Sequence, residues 1–309
     1  MRLFTTRFWL PVLLVCGLFS CEQPVDLNIQ TPAPKLVVIS NFTAQSDLRV
    51  RVTSSKPVIT SGQTDFIYDA DVALYQGDRF LQDLRLINDP EDPYYTTAQF
   101  YPGPGLEYTI RVSAPGYASV EGKSSIPEQV VISQLQIADL SIQKEAKGSL
   151  YRLNYNVNLG FADREHEKNY YHLTLFQEFF SFESIDGDTL LSNRRERRLR
   201  FDPNSGNNLQ VVHYDGSILF EDTPFNGRQQ TFSLPVEIRY PADREIPGQL
   251  VAELRVVTEE YYLFHTSLSR QQQTPDQPYA DPVILYNNIK NGHGIFAGYS
   301  SSIASVEVR

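Results

Sequence analysis

The stretch Leu48-Arg49-Val50-Arg51-Val52 puts an apolar side chain on every second residue and an arginine between each pair. A period of two places the apolar set on one side of an extended chain, so the stretch predicts a strand with one buried and one wet face. The same rhythm returns at Tyr151, Leu153, Tyr155 and Val157. Between such runs stand clusters of glycine and proline, among them Pro102-Gly103-Pro104-Gly105 and Ala114-Pro115-Gly116. These residues fix or free φ and so mark turns. Short strands at spacings of roughly 8–12 residues point to antiparallel sandwiches. Residues 35–127 read as one such sandwich, and residues 128–309 as a larger antiparallel β domain that holds a long aromatic strand and an Asp-Gly turn at 215–216. In the second domain the period changes once. Tyr261, Phe264 and Leu268 repeat at helical spacing, Thr258 stands at the N-cap, Glu259 and Glu260 fill the first turn, and Pro275 ends the pattern. One α-helix is therefore expected near 258–273. The tail reads as a strand, a glycine-rich loop and a final strand pair.

The N-terminus follows different rules. Arg2 and Arg7 come without an acidic residue, and an apolar run from Phe8 to Phe19 follows them. That run is shorter than the roughly 20 apolar residues of a membrane-spanning helix and has the flanks of a secretory signal. It ends in Leu18-Phe19-Ser20-Cys21, with a small residue before a cysteine, which looks like a bacterial lipobox. On this reading residues 1–20 are a lipoprotein signal peptide, cut away once the Cys21 thiol carries lipid. The other reading is an ordinary secretory signal with an incidental cysteine. Residues 21–34, with Pro24, Pro32 and Pro34 and no periodicity, read as a tether. The chain has two cysteines, and Cys16 lies inside the signal. The mature protein then has no internal disulfide and must be held by its core. The net charge of −10 argues against nucleic acid and against an anionic membrane surface as partners.

Four segments carry a resemblance: IYDADVALYQGD, PGLEYTIRVSAPGY, SSIP and ADPVILYNNIKNGHGIFAGYSSS. Together they resemble the DUF4249 family of Bacteroidota lipoproteins, whose function is uncharacterised. The similarity extends over nearly all of the mature chain. Its most specific piece is Asn288-Ile289 followed by Gly292-His293-Gly294-Ile295-Phe296-Ala297-Gly298-Tyr299. The Pro-Gly-x-x-Tyr-x-Ile-x-Val pattern is shared with many exported Ig-like and prealbumin-like β-sandwiches, and the first domain is expected to be of that kind. The resemblance implies an outer-membrane location, on a face left open, and an accessory role beside a TonB-dependent receptor. It brings no catalytic residue.

Few residues offer chemistry. Asp163, Glu165, His166, Glu167 and His172 are numerous enough to hold a metal, but they sit in a charge run of the kind that is usually solvated. No Gly-x-Ser-x-Gly presents a nucleophile, Glu121-Gly122-Lys123-Ser124-Ser125 is only the end of a phosphate loop, and the acidic turns are fragments of calcium loops. Arg194, Arg195, Arg197, Arg198 and Arg200 are the sharpest charge feature, either a binding face for acidic groups or a hairpin edge guarded by charge. His293, Phe296 and Tyr299 are a second candidate binding set, with a tight turn that packs the two rings as the plainer reading. Thr189, in Asp188-Thr189-Leu190, matches a short O-glycosylation pattern. The expected function is a lipid-anchored outer-membrane binding or accessory protein, with a stand-alone glycan- or peptide-binding lipoprotein as the alternative. No enzyme activity, cofactor or metal is expected.

Overall fold

The computed structural model describes residues 33–56, 65–145, 149–165, 167–185, 188–201, 209–273 and 283–308. Cys21, the expected signal peptide, most of the tether and His166 lie outside the described residues. The first half of the chain supplies β1 (Leu36–Phe42), β2 (Arg49–Ser54), β3 (Asp71–Gln76), β4 (Arg79–Asp83), β5 (Arg85–Ile87), β6 (Tyr94–Thr96), β7 (Glu107–Ser113) and β8 (Val120–Ser125). Longer strands follow: β9 (Ile132–Lys144), β10 (Leu150–Ala162), β11 (Tyr170–Ile185) and β12 (Asp188–Arg198). Then come β13 (Val211–Tyr214), β14 (Ser217–Glu221), β15 (Gln229–Pro241) and β16 (Glu245–Val257). Helix α1 (Glu259–Gln273), β17 (Ile289–Lys290) and β18 (His293–Glu307) complete the order. The protein is mostly β, as its alternation predicts.

Ten strands form one sheet in the order β13-β14-β11-β16-β18-β1-β2-β6-β5, with β12 beside the far half of β11. Two smaller sheets, β17-β8-β7-β3-β4 and β15-β10-β9, cover one of its faces. Register fixes this arrangement. Val256 of β16 lies opposite Ser300 of β18, and Val257 opposite Tyr299. Val256 belongs to the core under the three-stranded sheet, whereas Val257 and Tyr299 pack under α1 on the other face. Phe296, four residues before Ser300, points the same way as Val256 and enters the core under the five-stranded sheet.

The expected division near Pro127 falls between these two cores, and a single sheet crosses it. The crossing strand is β18, which pairs antiparallel with β16 and parallel with β1. Phe296 stacks on Phe42 with centroids 4.5 Å apart, so the N-terminal core contains a side chain from the C-terminal end of the chain. The tail differs from its expected form. Residues 283–288 are not strand, and the expected final pair is one strand of 15 residues.

Side-chain alternation explains the layers. On β10, Leu153, Tyr155, Val157, Leu159 and Phe161 are buried, and Asn154, Asn156 and Asn158 alternate with them. Phe161 meets Tyr171, Phe220, Phe225 and Phe232 at centroid distances of 5.0–6.5 Å. Each such ring contributes roughly 1.5–3 kcal/mol by leaving water. Turns fall where glycine permits them. Asp215 and Gly216 both have positive φ and close the two-residue hairpin between β13 and β14. Pro235 stands in the middle of β15 opposite Asn156, which an outer strand tolerates because its missing N–H breaks no ladder bond.

Candidate functional site

Helix α1 lies on the outer face of the large sheet and buries Tyr261, Phe264 and His265. Glu259 and Glu260 occupy its first turn, where the helix end favours negative charge. Thr258 precedes it as expected, and its carbonyl accepts the Tyr262 N–H. Its hydroxyl makes no cap bond and is buried without a partner.

Beneath α1 runs a chain of polar side chains. Ser301 Oγ donates to Glu253 Oε1 at 2.7 Å. Arg255 clamps Glu253 through Nε and Nη2 at 2.8 and 2.9 Å, and its Nη1 reaches the Tyr261 hydroxyl at 3.4 Å. His172 Nδ1 lies 2.9 Å from that hydroxyl, and its Nε2 lies 2.6 Å from Ser217 Oγ. The single Ser217 proton goes to the Tyr214 carbonyl, which can only accept. His172 Nε2 must therefore carry a proton and donate to Ser217, which leaves Nδ1 to accept from Tyr261. Every bond then points one way, from Arg255 through Tyr261, His172 and Ser217 to the Tyr214 carbonyl. Neutral His172 is the form that fits. Burial, followed by the charge of Arg255, holds it well below its ordinary pKa. Burial also raises Tyr261 to about 12.

The Ser217–His172 distance is that of a nucleophile and its base. Ser217 is only 1 % exposed and its proton is already bonded, so this pair joins β11 to β14, and Tyr261 links it to the helix. His265 lies beside it. Its ring is 4.1 Å from Tyr261 and 4.9 Å from Tyr214, and Nε2 meets Asn41 Nδ2 of β1 at 3.2 Å. The amide donates there, so His265 Nε2 accepts.

The arginine run occupies the end of β12 and the residues after it. Arg194 pairs with Glu178 and Glu196, and Arg198 pairs with Asp215 and lies over the Phe176 ring. Arg197 lies over Phe179, pairs with Glu245 and donates to the Arg239 carbonyl of β15, which ties two layers together. Arg195 and Arg200 have no ion pair among the described residues. Arg197→Ala is expected to cost about 1–2 kcal/mol, because it leaves the Glu245 carboxylate buried and unpartnered. Arg195→Ala is expected to stay within about 0.5 kcal/mol. Urea unfolding of the two variants measures the difference.

The second candidate set separates. His293 is exposed at the start of β18, Phe296 is 0 % exposed in the N-terminal core, and Tyr299 is half-buried beneath the Arg255 guanidinium. Phe296 thus has no surface to offer a ligand, and these three residues form no common site. Gly292 and Gly294 serve close approach. A Cβ on Gly294 would overlap the Val38 carbonyl of β1, and its φ is 113°. Thr189 lies on β12, and its side chain is outside the described residues. The acidic run near His166 disperses. Asp163 accepts from the Tyr171 hydroxyl and the Gly227 N–H, Glu167 pairs with Arg164, and His172 belongs to the chain under α1. Among the described residues no cluster of three or more His, Cys, Asp or Glu could hold a metal.

One groove of about 930 Å³ opens where β13, β15 and the last turn of α1 meet. Arg200, Phe201, Tyr214, Pro235, Glu237 and Gln272 contribute to its walls. Of the candidate binding residues named from the sequence, Arg200 reaches it, and the Asp215-Gly216 turn lies at its edge.

A family profile described as "Domain of unknown function (DUF4249)" matches residues 22–304. The chain belongs to the DUF4249 family. The match takes in both cores of this DUF4249 protein, the polar chain beneath α1 and nearly all of β18. No match is found among curated proteins. Among solved structures, one similar to the DUF4249 chain is titled "Biofilm associated protein - B domain", with 6 % identity and coverage of 88 % of this chain and 86 % of that one. Its TM-score of 0.19 is too low to carry an argument. The groove and the polar chain escape sequence reasoning, because Arg200, Tyr214 and Gln272, or His172, Ser217 and Glu253, meet only through tertiary packing. The buried histidines have one local signal: His172 lies within an aromatic strand and His265 on the apolar side of the helix.

Proposed function

We propose that this protein is a lipid-anchored binding or accessory protein of the outer membrane, working beside a TonB-dependent transporter. The observation that carries the reading is Cys21, placed after Arg2, Arg7 and the apolar run Phe8–Phe19 and preceded by Ser20. Cleavage there makes Cys21 the sole thiol of the mature chain, with nothing to pair with inside it. Acyl chains on that residue contribute about 0.8 kcal/mol per buried CH₂, and more than one chain makes the anchor firm. The segment from Glu22 to Lys35 spans at most about 50 Å when extended, which keeps the β body close to the lipid surface.

A stand-alone glycan-binding lipoprotein is the second reading, favoured by the groove at β13 and by Arg200 in its wall, which has no ion pair among the described residues. Metabolic labelling with a palmitate analogue tests the anchor. The wild type is expected to take up label and to sediment with membranes, and Cys21→Ser to lose the label and become soluble. An unlabelled wild type, or a Cys21→Ser form that sediments like it, sinks the placement. A pull-down from solubilised outer membrane, read by mass spectrometry, is expected to recover a β-barrel receptor. Recovery of none removes the accessory role and leaves the second reading.

A further inference from the structure

We propose that the groove bounded by β13, β15 and the end of α1 binds a carboxylated saccharide, with Arg200 taking the carboxylate. This inference does not depend on the lipid anchor. The groove's volume of about 930 Å³ lies within the range of small-molecule sites, roughly 300–1,000 Å³. What it would bind follows from which of its polar groups are already engaged. Glu237 has Arg152 at 3.7 Å and Arg239 at 3.8 Å. Asp215 is paired with Arg198. Gln273 donates to Ser269 Oγ at 3.1 Å, and Ser269 donates to the His213 carbonyl. Both carboxylates in the wall are thus neutralised by arginines outside it.

Three groups remain without a partner among the described residues: the Arg200 guanidinium, the Tyr214 hydroxyl and the Gln272 amide. One is a cation. The other two each donate and accept. A guanidinium matches a carboxylate with two parallel hydrogen bonds. Sugar hydroxyls, which also donate and accept, match an amide and a phenol. Pro235, exposed on β15, adds apolar wall that the C–H face of a sugar ring can cover.

Phosphate is the other anion a guanidinium takes, and the helix argues against it. The end of α1 at the groove is its C-terminal end, where the helix dipole places partial negative charge. That end opposes a doubly charged phosphate more than a singly charged carboxylate. Of the four arginines just upstream, Arg194, Arg197 and Arg198 are held by Glu178, Glu245 and Asp215, and Arg195 does not line the groove.

Isothermal titration of the full chain in detergent tests the proposal, with trigalacturonate and trimannuronate as probes. Maltotriose serves as the neutral counterpart, and acetate and inorganic phosphate as bare anions. At least one uronate trimer is expected to bind about tenfold or more tightly than maltotriose and than either bare anion. Arg200→Ala is expected to weaken that binding about tenfold or more, the effect of losing a charge-assisted hydrogen bond. Gln272→Ala is expected to weaken it a fewfold. Arg200 is exposed and has no ion pair among the described residues, so circular dichroism and the unfolding midpoint of Arg200→Ala are expected to match the wild type. No binding of either uronate trimer overturns the proposal, as does equal affinity for maltotriose or an unchanged Arg200→Ala. Acetate or phosphate binding as tightly as the trimers overturns the saccharide assignment.

Discussion

Gly294→Ala is expected to remove at least about 4 kcal/mol of stability, the far tail for a single substitution. Two costs coincide at this position. Its φ of 113° lies in a region that residues with a Cβ rarely adopt. The added Cβ would also overlap the carbonyl of Val38, the residue paired with Gly294 in the β1–β18 ladder. Backbone cannot rotate away as a side chain can, so β1 and β18 must separate. That ladder joins the two halves of the large sheet, and Phe296 two residues on stacks against Phe42. The effect should therefore spread through the N-terminal core. Gly77→Ala is the control. Gly77 has a φ of 57° in the β3–β4 turn, and a Cβ added there would meet nothing within 4 Å. Only the dihedral cost then applies, about 1 kcal/mol. Urea unfolding followed by circular dichroism compares the two. Equal midpoints for the two variants would show that the close approach of β1 and β18 is not what demands glycine.

This contrast shows what sequence can and cannot carry. Leu48, Val50 and Val52 are buried and Arg49 and Arg51 face outward, because alternation records which face a residue takes. The turns at Gly77 and at Asp215-Gly216 are legible, since each needs positive φ and supplies residues that tolerate it. Helix α1 begins one residue after its expected start and ends at the expected residue. Partnership is not legible. Nothing local in Leu36–Phe42 says that its neighbour is 256 residues away and runs parallel to it. For the same reason Gly292 and Gly294 suggest a loop, when the demand on Gly294 comes from a neighbouring backbone. Phe296 and the arginines follow this pattern. Their types fit binding, and only tertiary contacts reveal that Phe296 fills a core and that Arg197 joins two layers.

Acidification is expected to loosen α1 from the sheet. His265 is pushed down to about 4 from an ordinary 6.5, first by burial and then by the charge of Arg255. Between those values the unfolded chain binds a proton at this site and the folded chain does not. The stability in question is fully present above pH 6.5 and is lost as pH falls towards 4, by about 3 kcal/mol in all. His172 shifts in the same direction for the same leading reason, and its protonation would reverse the bond from Tyr261. The groups that face the two histidines do not relieve them. Arg255 is a cation already, Tyr214 and Tyr261 stay neutral because burial raises both, and the Glu253 carboxylate is engaged by Arg255 and Ser301. Asp222, which burial raises, works against this trend, because its folded form takes up a proton more readily than the unfolded one. His265→Phe keeps a ring against Tyr261 and Tyr214 and removes the titration. Between pH 7 and pH 5 the wild type is expected to lose about 2 kcal/mol more than His265→Phe in urea unfolding. Parallel stability profiles for the two proteins would mean that His265 takes up its proton as readily in the folded state as in the unfolded one.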